Sequence, residues 1–282
     1  MSSVSFVVLG LAGCSLADLR PTELTAGQLN SEAEQQGREW LDRAIAAQGG
    51  PLEATDKKTV SLWLRDDWAS DMMRRLATPW DFNRQLIRLD VAVGADDGRV
   101  TFAEGDRKDS GFGIQNWVTY QFQGDGDVVF DPLDDPDGAA KFWTPTLAYF
   151  PFLAWRIQEA DVVRFLGTEK IGGRSLAKVF ATWGSLEPQG DVDQYIVYID
   201  TSTGLIAGAT YTVRDMMKSI VGTMKYSDYR EVEGFKLPFL INGVKELSSD
   251  ETESHRMVFE KVAFDAVPPA TLVPKPAIRA QK

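Results

Sequence analysis

Cys14 and His255 are the only cysteine and the only histidine in the 282 residues. Catalysis by a Ser-His-Asp arrangement would have to pass through His255, in Glu253-Ser254-His255-Arg256 at the start of a strand-like run, because no other imidazole exists. No G-x-S-x-G elbow accompanies it, so the simpler reading is a partly exposed strand histidine. A single cysteine excludes an intrachain disulfide, and the Cys/His clusters that zinc, copper and iron sites use are missing. Gly111-Phe112-Gly113 lacks the third glycine and the following helix of a dinucleotide loop. The acidic run Asp131-Pro-Leu-Asp-Asp-Pro-Asp-Gly138 offers carboxylates to calcium, but Leu133 and Thr144 stand where an EF-hand needs acids. Asp96, Asp97, Asp125 and Asp127 fall in turn sequences, where aspartate is favoured for backbone reasons alone. No catalytic residue, metal or cofactor is assigned, and no pair of carboxylates stands out by its spacing.

The remaining chemistry is apolar. Lys141 to Ile157 reads KFWTPTLAYFPFLAWRI and holds Phe142, Trp143, Leu147, Tyr149, Phe150, Phe152, Leu153 and Trp155. These eight side chains are either plain core or the lining and lid of a ligand cavity. In the second case affinity comes from apolar burial, at about 25 cal/mol per Å² removed from water. Pro145 and Pro151 forbid one straight helix, which predicts two short helices joined at a bend.

Such a block needs a surface to cover. Ser31 and Glu34 fit a capping box, and Trp40, Leu41, Ala44 and Ile45 recur at helical spacing before Gly49-Gly50-Pro51 stops the run. This predicts an amphipathic helix lying on a sheet. From Thr59 onward the period becomes two: Val60, Leu62 and Leu64 alternate, as do Ile87, Leu89, Val91 and Val93. Strand-like runs near 99–104, 117–123, 161–167, 175–184, 193–200, 205–214, 220–230, 235–247 and 255–265 are separated by turn signals such as Gly94-Ala-Asp-Asp-Gly98, Gly124-Asp-Gly-Asp127 and Gly172-Gly173. The expected fold is α+β, mostly β: one large curved antiparallel sheet, with an N-terminal helix and short helices covering its concave face. A single domain spans 31–273, and the proline-rich end, 274–282, forms an extended tail.

Lys and Arg total 30 against 41 Asp and Glu, a net charge of -11. That sign disfavours nucleic acid and attraction to anionic lipid, so membrane attachment would need a hydrophobic or covalent anchor. The first 13 residues carry no charge, and their apolar run is too short to span a bilayer. The run ends Leu11-Ala12-Gly13-Cys14, which resembles the lipobox of bacterial lipoproteins. The resemblance implies a signal peptide over 1–13, an acylated Cys14 (palmitate being a typical chain), and a lipidated tether over 14–30. Ser15 after the cysteine implies outer-membrane sorting, facing the periplasm or the cell surface.

The order of the parts is similar to the lipoprotein-carrier (LolA/LolB-like) superfamily: an opening helix ending in Ala46-Ala47-Gln48-Gly49-Gly50, the Thr203-Gly204-Leu205-Ile206 turn, Tyr226 to Phe239, and a last strand closing on Phe264 and Val267-Pro268. That resemblance implies a half-open β-barrel with an apolar cavity for acyl chains, lidded by 141–157, and no catalytic motif. The implied function is binding of a lipid, acyl chain or lipidated polypeptide in the bacterial envelope, with an envelope protein as a further partner. Two alternatives stay open: a non-catalytic scaffold lipoprotein whose interior is filled by its own side chains, and an envelope hydrolase dependent on His255 or on a carboxylate.

Overall fold

The structure is a computed structural model and describes residues 16–25, 27, 31–123, 127–129, 138–215 and 218–274. Cys14, the lipobox, residues 131–137 of the acidic run and residues 275–282 lie outside them. The chain begins with a short helix α1 (Thr22–Thr25) and the long helix α2 (Ser31–Ala47), then enters strand β1 (Thr59–Trp68). A short helix α3 (Asp71–Ala77) leads to a meander of β2 (Leu86–Ala92), β3 (Gly98–Phe102), β4 (Gly111–Gln115), β5 (Val118–Gln123) and β6 (Asp127–Val129). Helices α4 (Ala139–Tyr149) and α5 (Leu153–Gln158) follow. A second meander runs through β7 (Val162–Ile171), β8 (Arg174–Thr182), β9 (Gln194–Asp200), β10 (Ile206–Thr212), β11 (Val221–Val232), β12 (Phe235–Gly243) and β13 (His255–Phe264).

All strands join one antiparallel sheet of 13, in the order β6-β5-β4-β3-β2-β1-β13-β12-β11-β10-β9-β8-β7. The first and last strands of the chain are therefore neighbours at its centre, while β6 and β7 form its two edges. Breaks in register at Trp63/Leu64, Phe165/Thr168 and Ile206/Gly208 mark irregularities of the kind that bend strands. The expected mostly-β fold with a curved open sheet and few helices is borne out.

Period two decides which residues face the core. Along β1 the buried series Val60, Leu62, Leu64, Asp66 and Trp68 occupies one face, continued by Ile87, Leu89 and Val91 on β2 and by Met257 and Phe259 on β13. Helix α2 lies on β7, where Gly37 permits close approach; a Cβ there would sit 2.8 Å from Val163 Cγ1. The opposite face of the first meander is covered by the C-terminal segment. Tyr120 donates to the Leu272 carbonyl at 3.1 Å, and Thr59 to that of Val267 at 2.7 Å.

Four expectations need correction. β4 runs through Gly111 and Gly113, where the sequence read only an incomplete phosphate loop; their Cβ atoms would meet Val100 O at 1.9 Å and the Tyr120 ring at 2.4 Å. Asp127 heads β6 rather than closing a turn. Helix α3, capped by Ser70, was not anticipated, and it leaves Met72 (69%) and Leu76 (82%) exposed. The described part of the 14–30 stretch is docked on the sheet rather than free: Leu19 N–H donates to Gln194 at 2.8 Å, Arg214 donates to the Ala17 carbonyl at 2.5 Å, and Leu24 is buried.

Candidate functional site

Helices α4 and α5 connect the two edge strands and so lie across the inner face of the sheet. Pro145 sits inside α4, and the break falls at Phe150-Pro151-Phe152, giving the expected pair of short helices. Helix α4 is pinned at one end by Trp143, whose Nε1–H donates to the Ala77 carbonyl at 2.9 Å. Between α4 and the sheet lies a cavity of about 350 Å³, at the small end of ligand-binding pockets. Phe142, Trp143, Tyr149 and Phe150 form its helical wall, and Trp68, Tyr195, Tyr211, His255 and Met257 its sheet wall.

The eight expected residues thus divide. Phe142, Trp143, Tyr149 and Phe150 border the cavity, whereas Leu147, Phe152, Leu153 and Trp155 point into the packed core. Trp155 is 4% exposed, donates Nε1–H to the Gly50 carbonyl at 2.9 Å, and packs on Phe152 and Phe235. Phe152 and Trp155 otherwise touch only a separate void of about 40 Å³. One helical turn shifts a side chain from the cavity to the core, and residue type alone does not register that rotation.

Apart from His255, the sequence did not single out the sheet wall. Tyr149 stacks on Tyr195 and Tyr195 on Tyr211, with ring centroids 5.7 and 5.9 Å apart. Burial pushes all three hydroxyls above the ordinary tyrosine range, so they remain neutral. Asp193, at the cavity edge, is also raised: burial outweighs the bonds it accepts from Arg214 N–H and the Thr212 hydroxyl, both 2.9 Å. Four carboxyls border the cavity (Asp96, Glu159, Asp193, Asp215) against Lys141 and Arg156, and Arg156 is paired with Asp96 at 2.8 Å.

His255 is not the partly exposed strand residue expected. It is 9% exposed, lines the cavity and faces Trp68 across the β1–β13 ladder. Its Nδ1 lies 2.6 Å from Asp66, whose second oxygen accepts Nε1–H bonds from Trp68 and Trp80 at 2.6 and 2.9 Å. The signal available in the sequence was Asp66 itself, a charge at an inward position of an alternating strand. Among the described residues no group of three or more His, Cys, Asp or Glu is placed to hold a metal ion, and no helix is long and apolar enough to cross a membrane.

No family model and no curated protein matches the sequence. Solved structures do. A DUF1329 family protein from Desulfovibrio piger superposes with a TM-score of 0.53 at 8% identity, over 87% of this chain and 99% of that one. A putative outer membrane lipoprotein-sorting protein domain from Vibrio parahaemolyticus gives 0.50 at 11% identity, over 85% and 97%. A LolA superfamily protein from Nitrosomonas europaea gives 0.48 at 11% identity, over 85% and 98%. At such identities the likeness concerns fold alone. By fold the chain is a curved, open antiparallel sheet covered by helices, similar to the folds of the Desulfovibrio piger and Vibrio parahaemolyticus proteins.

Proposed function

We propose that this chain is an envelope lipoprotein, anchored through Cys14 in the outer membrane, that binds a lipid or acyl chain between α4 and the inner face of its sheet. The observation that carries the reading is the cavity of about 350 Å³ walled by aromatic side chains. A soluble domain gains by filling such a space with its own residues, and α5 does so next door with Leu153, Phe152 and Trp155. An unfilled aromatic trough beside a filled one suits an exchangeable apolar guest. The volume suits one chain or one small lipid.

The full chain carrying Cys14→Ser, purified from cells with native membranes, is expected to show a bound species of lipid mass by native mass spectrometry, lost on denaturation and recovered by organic extraction. Phe142→Asp places a charge in the cavity wall and should abolish this loading while thermal unfolding stays cooperative. A clean apo mass together with no uptake of added fatty acid, fatty alcohol or phospholipid would overturn the reading. The sheet would then serve as a surface for another envelope protein.

A further inference from the structure

One imidazole interrupts the aromatic wall of the cavity, and the packing holds it rigid. One face of His255 lies on Trp68, with centroids 4.4 Å apart and planes at 16°, and Trp143 meets it edge-on at 6.3 Å. Behind it Asp66, 1% exposed, takes the His255 Nδ1 on one oxygen and two indole N–H groups on the other. A carboxylate accepts and does not donate, so the hydrogen of the first bond belongs to Nδ1. In the neutral ring Nε2 then keeps its lone pair. Nε2 makes no hydrogen bond to a described residue, and the His255 side chain lines the cavity. The site thus offers a fixed acceptor amid apolar surface, and a fixed acceptor selects a donor.

We infer that His255 Nε2 is the polar anchor of the cavity, and that the ligand is a neutral amphiphile headed by a hydroxyl, which donates its hydrogen to Nε2 while the chain lies along Phe142 of α4 and Phe150 at its end. The inference rests on the lipid-binding reading above and narrows it. A carboxylate or phosphate head brings no hydrogen for Nε2, and it would share the cavity with Asp96, Glu159, Asp193 and Asp215, with only Lys141 and Arg156 to offset them. An ammonium head would be drawn to those carboxyls instead, since reaching the one neutral acceptor at Nε2 would cost it the hydration of three N–H groups. A hydroxyl needs only the one partner that Nε2 supplies.

The test uses the fact that His255 is the single histidine. The full chain with Cys14→Ser, prepared without a histidine tag and labelled with ¹⁵N-histidine, gives one pair of imidazole nitrogen resonances. The free protein is expected to show the tautomer with hydrogen on Nδ1. Titration with 1-decanol should move the Nε2 resonance as it accepts a hydrogen bond. Decyl methyl ether, which has the chain and oxygen but no hydrogen to give, should leave Nε2 in place and bind about tenfold more weakly, the value of one hydrogen bond. Hydrogen found on Nε2 in the free protein, or an Nε2 unmoved while decanol and ether bind equally, would overturn the anchor and leave the cavity reading standing. Decanoate binding as tightly as decanol would overturn the choice of a hydroxyl head. Failure of decanol and ether alike to bind would sink both the anchor and the lipid-binding reading.

Discussion

A carboxylate as deep as Asp66 is tolerated because N–H donors reach both its oxygens, two from indoles and one from imidazole. Asp90, on the opposite face, is held in the same way by the Ser61 hydroxyl at 2.5 Å and the Arg88 guanidinium at 2.9 Å. Asp193 is less well compensated, and burial keeps its carboxyl above the ordinary value of 3.8. The folded chain therefore holds this proton to higher pH than the unfolded chain does. Its contribution to stability is complete below the ordinary value and is lost as pH rises through the raised one. Asp193→Asn keeps an oxygen to accept from Thr212 and Arg214 but does not titrate. Its melting temperature relative to the parent should rise between about pH 3 and about pH 7, and a constant or falling difference in thermal scans would contradict the account.

Among the elements, β4 shows why glycine recurs in the middle of a sheet. Neighbouring backbone crowds Gly111, so Gly111→Ala must displace Val100, and the cost should be about 2 kcal/mol or more in denaturant titration. In composition this strand looks like a loop, which is why its sequence concealed it; the steric demand comes from β3. The paired helices were legible, since Pro151 places their break and the aromatic content demands cover. Their rotation was not. Trp155→Ala should destabilise by about 3–5 kcal/mol, as a large side chain in the core. Phe142→Ala, on the cavity wall, should cost about 1 kcal/mol or less while weakening ligand retention. Unfolding curves and lipid recovery on the same two variants separate the core half of the block from the cavity half.

Taken as one body, the molecule is an open sheet whose edges are joined through the helices that cover it, so the connection from β6 to β7 doubles as the wall of the cavity. Its net charge of -11 opposes adsorption to anionic lipid. The Cys14→Ser chain should therefore stay in the supernatant with phosphatidylglycerol vesicles at low salt. Binding that survives the substitution would shift attachment from the acyl chain to the exposed Met72 and Leu76 of α3. The sequence by itself determined the strand-rich architecture, the opening helix, the bent helical block and the exclusion of an intrachain disulfide, because period, turn residues and composition act over a few residues. Tertiary structure alone decided which aromatics face a void, and it brought Asp66 to His255 from 189 residues away. A cavity is the space that distant segments fail to fill, and a dyad is formed by strand register. Both are set by the pairing of β1 with β13, a contact between opposite ends of the chain that no local pattern encodes.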